Sequence, residues 1–147
     1  LAAPVSDFEI SYNAGYTKAE YKNLKLAQNG SEINLKNKRP VFTPEYTSML
    51  AMQYSYHFAK KGGCKIIIRG ELKSIGNQYF DLENTLEQKS YSLVNTSLAL
   101  ATKLYQLTFW VRNLTAKKYI SYAYDFGAVH LGDPGTLGVS IRVNTGF

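Results

Sequence analysis

Hydrophobic and polar residues alternate with a period of two through much of the chain, most strictly at its C-terminal end. In Leu137-Gly-Val-Ser-Ile-Arg-Val-Asn-Thr-Gly-Phe147, one face carries Leu137, Val139, Ile141, Val143, Thr145 and Phe147. The other carries Gly138, Ser140, Arg142, Asn144 and Gly146. A repeat of two puts alternate side chains on opposite faces of a strand. Five further segments carry the pattern. From about Asp7 to Thr17, Phe8, Ile10, Tyr12, Ala14 and Tyr16 share one face. From about Tyr46 to Phe58 the apolar face holds Leu50, Met52, Tyr54, Tyr56 and Phe58. From Cys64 to Gly76 it holds Cys64, Ile66, Ile68 and Leu72, with Ile67 and Ile75 breaking the pattern. The segment from Tyr91 to Thr102 sets Val94, Leu98 and Leu100 against Asn95, Ser97 and Ala99. Between Tyr105 and Arg112, Tyr105, Leu107, Phe109 and Val111 oppose Gln106, Thr108, Trp110 and Arg112.

The links between these segments have a rhythm of their own. Ala59 to Gly63 joins the second segment to the third, and a tight turn near Lys103 joins the fourth to the fifth. The other links are long, roughly Ala19 to Glu45, Asn77 to Ser90 and Leu114 to Thr136. Loops longer than about 12–15 residues are uncommon in a compact soluble domain. Alternating short and long links belong to an up-and-down membrane barrel with short turns at one end and long loops at the other. The predicted architecture is all-β, an antiparallel up-and-down meander of six strands. Aromatic residues fall where an interfacial belt needs them. Phe8, Tyr56, Phe58, Tyr105 and Phe147 mark the short-turn end, and Tyr16 and Tyr46 the other.

Composition narrows the choice. Twelve Tyr, seven Phe and one Trp favour strands over helices. No apolar run approaches the roughly 20 residues of a transmembrane helix, which leaves a membrane barrel open because its strands are only about half apolar. The net charge of +6 is scattered over loops, turns and polar faces and forms no stripe with interleaved aromatics, so a nucleic-acid partner is not expected. Leu1-Ala-Ala-Pro shows no basic-then-apolar leader, and the chain is expected to be a mature protein or a fragment of one. The lone Cys64 makes no internal disulfide.

Three stretches resemble the C-terminal barrel region of TonB-dependent outer-membrane receptors. Arg112-Asn-Leu-Thr-Ala-Lys-Lys-Tyr119 is similar to the family's R-N-L-T-D-K-K-Y, at the top of the penultimate strand. Gly132-Asp-Pro-Gly-Thr-Leu-Gly-Val-Ser-Ile-Arg-Val143 is similar to its G-D-P-R-T-Y-G-V-S-L-R-Y ending, and Arg39-Pro-Val-Phe-Thr-Pro-Glu-Tyr-Thr47 to its R-P-P-F-A-P-E-Y-T. Gly76-Asn-Gln-Tyr-Phe-Asp81 is a weaker match. Gly135 and Leu137 depart from the family, which more often has Arg and an aromatic there, as does Thr145-Gly146 before the terminal Phe147.

The resemblance implies a chain that is the C-terminal portion of a transmembrane barrel of about 22 strands, with residues 1–147 supplying neither plug nor energy-coupling segment. It implies the bacterial outer membrane as location and active uptake of a scarce nutrient, a ferric siderophore first. Haem, cobalamin or a glycan are the other ligands of such receptors. The implied partners are the lipid bilayer, the TonB complex through the missing N-terminal part, the β-barrel assembly machinery and a ferric chelate. Val139, Ile141, Val143 and Phe147 would form the barrel-closing strand.

Candidate ligand contacts are aromatic or cationic residues of the long links: Arg39, Tyr79, Phe80, Tyr119, Tyr122, Tyr124 and His130. Aromatic faces pack on catechols or sugars, and cations suit anionic chelates. No catalytic constellation, metal-ligand spacing or phosphate loop is present; neither an enzyme nor a bound cofactor is expected. Asn113 and Gly132-Asp133-Pro134-Gly135 read as turn chemistry at strand ends. A self-contained soluble β-sandwich binding module, which would bury the aromatic faces between two sheets, is the alternative. A small outer-membrane barrel or adhesin needs at least eight strands.

Overall fold

The structure, a computed structural model, describes residues 2–5, 7–28, 30–59, 63–124 and 126–144. The six alternating segments form β2 (Phe8–Tyr16), β5 (Tyr46–Ala59), β6 (Cys64–Ile75), β9 (Tyr91–Ala101), β10 (Tyr105–Arg112) and β13 (Thr136–Val143). Each neighbours the next in one antiparallel sheet. A seventh strand, β1 (Ala2–Val5), pairs with β2 at the sheet's edge. Alternation could not announce it, because Ala2-Ala-Pro-Val5 is short and uniform, and its register with β2 is irregular between Ala2 and Val5, where Pro4 has no N–H to donate. The long links carry two-stranded hairpins of their own: β3 (Lys25–Gln28) with β4 (Ser31–Asn34), β7 (Gln78–Tyr79) with β8 (Glu87–Gln88), and β11 (Ile120–Ala123) with β12 (Val129–Leu131).

The register lines up the apolar positions of every strand. One row runs Phe8, Tyr54, Ile68, Leu98, Phe109, Val139 across all six long strands. The next runs Tyr56, Ile66, Leu100, Leu107, Ile141. On the opposite face Glu9, Gln53, Arg69, Ser97, Trp110 and Gly138 form the matching polar row. A slip of one residue in any pair would invert these faces, which is why the alternation specifies the register so strongly.

Exposure inverts the usual arrangement of a half-buried sheet. Large apolar side chains lie open to the surroundings: Leu98, Phe109 and Val139 are about half exposed, Ile141 73% and Leu137 82%. The buried residues of the central strands include Ala51, Ala99 and Ala101, small side chains on the polar face among the longer polar ones. Among the described residues no second layer covers the greasy face, so the sandwich alternative does not describe this fold. Fully burying one such side chain is worth about 1.5–3 kcal/mol. Leaving a whole face of them in water would forgo an amount comparable with the roughly 5–15 kcal/mol net stability of a domain. The face is stable only against apolar surroundings.

The aromatic girdle takes its predicted places where it is described. Tyr16 pairs with Tyr46 at the loop end, while Tyr56, Phe58 and Tyr105 lie towards the short turns. Phe147 lies outside the described residues. In the intact protein folded into lipid vesicles, Leu98→Arg should cost about 2–4 kcal/mol and Thr108→Lys, on the opposite face, less than about 1 kcal/mol. Urea unfolding of the two variants measures the difference, and equal costs would contradict the assigned faces.

Candidate functional site

The antiparallel order places all three long links at one end of the sheet. The first is closed at its base by the Thr17 amide on the Glu45 carbonyl (2.9 Å) and packs around its own buried Leu35. Its tip hairpin turns at Gly30 with φ of 80°, and the exposed Lys25–Glu32 pair across it (2.7 Å) adds at most about 1 kcal/mol.

The second loop is organised by Asp81. Its carboxylate accepts the Thr85 amide (2.8 Å), the Thr85 hydroxyl (2.8 Å) and the Leu86 amide (2.7 Å). Partial burial pushes this carboxyl's pKa up, but the bonds from Leu86 and Thr85 outweigh it and leave the net value below 3.8. Asn84, with φ of 57°, grips the first loop: its Oδ1 accepts the Arg39 amide (2.7 Å) and its Nδ2 donates to the Arg39 carbonyl (3.0 Å). The Phe42 amide on the Tyr79 carbonyl (2.8 Å) and Lys38 Nζ on the Glu83 carbonyl (2.7 Å) complete the seam.

Asn113 fixes the third loop. It is 4% exposed with φ of 47°, and its side chain closes three bonds. Nδ2 donates to the carbonyls of Lys117 and Asp133 (both 3.0 Å), and Oδ1 accepts the Lys117 amide (2.9 Å). The two stretches R-N-L-T and G-D-P-G, 20 residues apart, are thus held together by one amide. Gly132 lies against the ring of Tyr119, where a Cβ would overlap ring carbons, and Tyr119 stacks on Tyr91 with centroids 4.5 Å apart. Gln88 Oε1 accepts the Ile120 amide (2.7 Å) and ties this loop to the second.

A continuous run of aromatic rings crosses the seams between the loops. Phe80 meets Phe42 edge-on (5.5 Å), Phe42 stacks on Tyr122 (5.1 Å), Tyr122 meets Tyr124 (4.7 Å) and Tyr124 stacks on Phe126 (5.1 Å). Beside it lies an open cavity of about 490 Å³ between the first, second and third loops, whose lining includes Phe42, Phe80, Asp81, Glu83, Tyr122 and Tyr124. Its volume falls within the range of small-molecule sites. Phe42 holds φ of 54°, a strained backbone state for a bulky residue and one that concentrates at functional sites.

The sequence-predicted contacts are distributed unevenly over this surface. Tyr122 and Tyr124 present open rings to the cavity. Phe80 lines it but is only 4% exposed and serves mainly as packing. Arg39 lies over the Tyr79 ring (5.8 Å) and 3.9 Å from Glu45, away from the cavity lining. Tyr119 is committed to Tyr91 and Gly132, and His130 Nδ1 to the Ser121 hydroxyl (3.1 Å). Phe42 and Phe126 were missed as contacts. Phe42 stood inside a strand-leading motif, and its stacking partner is 80 residues away in the chain.

No protein-family model matches the sequence. Solved structures do. The ferric yersiniabactin uptake receptor FyuA from Yersinia pestis aligns with 95% of this chain and 21% of its own, at 20% identity and a TM-score of 0.78. The ferric preacinetobactin receptor BauA from Acinetobacter baumannii aligns with 96% of this chain and 20% of its own, at 21% identity and TM-score 0.74. The siderophore receptor PiuA from Acinetobacter baumannii gives 94% and 19%, at 17% identity and TM-score 0.75. The chain has the fold of the C-terminal barrel region of TonB-dependent receptors. It spans about a fifth of the length of the receptors it matches. The three hairpins stand at one end of a sheet with that fold.

Two outcomes are expected at this end of the sheet. Asn113→Ala should cost about 3 kcal/mol or more, because it strands buried amide and carbonyl groups and leaves a non-Gly residue at positive φ. Urea unfolding combined with proteolysis of the third loop would register both the cost and the opened loop. Asp81 has its pKa lowered on folding, so its contribution to loop order is complete above the ordinary carboxylate value. That contribution falls away as pH drops through 3.8 and below. Protease susceptibility of the second loop should rise over that acid range in the wild type, and Asp81→Asn should be susceptible already at neutral pH.

Proposed function

We propose that residues 1–147 are the C-terminal part of the β-barrel of an outer-membrane, TonB-dependent transporter that takes up a scarce nutrient, with a ferric siderophore as its first ligand. The observation that carries this reading is the fold match over 94–96% of the chain to three receptors, each named for a siderophore or its ferric complex. The uncovered greasy face supports a lipid bilayer as its surroundings. The barrel's remaining strands, its plug and its TonB-coupling segment would lie in the N-terminal part of the protein, and the barrel assembly machinery would insert it. Val139, Ile141 and Val143 of β13, with Phe147 beyond it, would contribute the strand that closes the cylinder on the first.

Ligand recognition on this fragment would centre on the aromatic run. Phe42, Tyr122 and Tyr124 offer flat apolar faces at the mouth, suited to the aromatic or heteroaromatic arms of a chelate. Arg39 and Tyr79 would set the edge of that surface, and Tyr119 and His130 would hold the third loop in shape. Energy for release and import would come from outside this segment.

The test is uptake of ⁵⁵Fe-labelled chelates by iron-starved cells carrying or lacking the intact gene. Uptake that requires the gene, collapses with a protonophore and loses about tenfold in affinity in Tyr122→Ala, as expected for one lost stacking contact of about 1–1.5 kcal/mol, is the expected result. Gene-independent uptake of every chelate tried would overturn the reading.

A further inference from the structure

The polar face of the sheet carries a site around Arg112, a cation without an ion pair among the described residues. Trp110 is fixed on that face by two constraints. Its Nε1 donates to Ser140 Oγ (3.1 Å), and its ring lies flat over Gly138, where any Cβ would collide with it. The guanidinium of Arg112, two residues on and on the same face, rests over this ring with its carbon 5.2 Å from the centroid. Across the sheet, Arg69 is paired within its own strand. Its Nε and Nη2 both reach Glu71 Oε1, at 2.8 and 2.7 Å.

The two arginines therefore differ in kind. Arg69 is neutralised by Glu71. Among the described residues Arg112 enters no ion pair, and its guanidinium makes no hydrogen bond. A cavity of about 290 Å³ lies between them, its lining including Asn95, Ser97, Trp110 and Ser140. Its charged residues, Arg69, Glu71 and Arg112, sum to one positive charge. Arg112 closes the last register pair of β10, with Thr136, so the site faces inward at the loop end of the wall.

We propose that Arg112, held by Trp110, binds a carboxylate of the ligand at the inner rim of the mouth. The inference rests on the uptake reading and deepens it, from an iron chelate in general to one bearing a free or metal-bound carboxylate. A guanidinium presents a planar fork of N–H donors that matches the two oxygens of a carboxylate. Stacking on an aromatic face orients that plane before the ligand arrives and leaves its edges open to accept it. The Ser97 hydroxyl and the Asn95 amide are further donors on the cavity's wall. The cavity has room for the carboxylate-bearing end of a chelate; the rest would extend toward the loops.

The test uses the intact receptor in detergent, labelled with 5-fluorotryptophan, with the Trp110 resonance assigned through Trp110→Phe. Citrate is the probe, titrated against sodium chloride of equal ionic strength. The expected result is a saturable shift of the Trp110 resonance with citrate and none with chloride. Arg112→Lys, which keeps the charge and loses the fork, should weaken the citrate response by at least about tenfold. Arg112→Gln should abolish it, with unfolding profiles showing that both variants remain folded.

A Trp110 resonance blind to citrate in the wild type overturns the proposal, whether the guanidinium is idle or already held by another segment of the protein. A response that survives in Arg112→Gln overturns it as well. Should either variant fail to fold, the wild-type titration alone still decides. Energised iron uptake with a citrate-blind Trp110 would remove this site and leave the uptake reading intact. Saturable citrate binding without uptake of any ferric chelate would do the reverse.

Discussion

The structure depends on one constraint: the backbone groups between neighbouring strands must be paired, in a register that keeps most of the large apolar side chains on one face. Six long strands satisfy it together, and the row from Phe8 through Leu98 to Val139 is its signature. The same register puts Arg69, Ser97 and Trp110 on the other side. Water tolerates the polar face, while the other is stable only against apolar surroundings. A sheet built this way has no stable form as a single uncovered layer in water, and its free edges need further strands. The match to about a fifth of much longer barrels agrees with that requirement.

Beyond the wall so constrained, the three long links are stiffened by a few polar anchors. Asp81 nucleates the second, Asn113 clasps the third, and Asn84 joins the second to the first. Each is a short side chain that satisfies backbone groups where no ladder can. Their combined effect is to hold five aromatic rings from three separate loops in van der Waals reach. Rings held in advance would lower the ordering cost of binding a flat ligand of the kind proposed. Ala116, at φ of 50°, shows one residue where the local geometry is paid for rather than preferred; the related motif places Asp there, a residue that tolerates this conformation better.

Much of this was legible in the sequence, and the limits have physical causes. Strands of eight or more residues show several full periods, and β2, β5, β6, β9, β10 and β13 lie close to where alternation placed them. The hairpin strands have four residues or fewer, too short for a period to register. Turn chemistry at Asn113 was readable because it is local, but its partner Asp133 is 20 residues on. Among the candidate contacts, Tyr122 and Tyr124 face the cavity, whereas Phe80 is largely covered by packing that only the folded loops create. The Phe42–Tyr122 stack is a meeting of distant loops that no spacing encodes. Arg112 and Trp110 share a face by the period of two, yet only the folded sheet shows that no acidic side chain among the described residues pairs with Arg112.

The proposed function places the apolar face of this sheet against lipid and the polar face toward an aqueous interior. Nitroxide labels placed one at a time along β13 of the intact protein in bilayers, after Cys64→Ser, test it directly. Collision rates with oxygen and with a water-soluble nickel chelate report the medium at each position. The expected result is a period of two, with positions 139, 141 and 143 oxygen-rich and nickel-poor and positions 140 and 142 the opposite. Uniform access of the nickel chelate to both sets, or equal exclusion from both, would contradict the account.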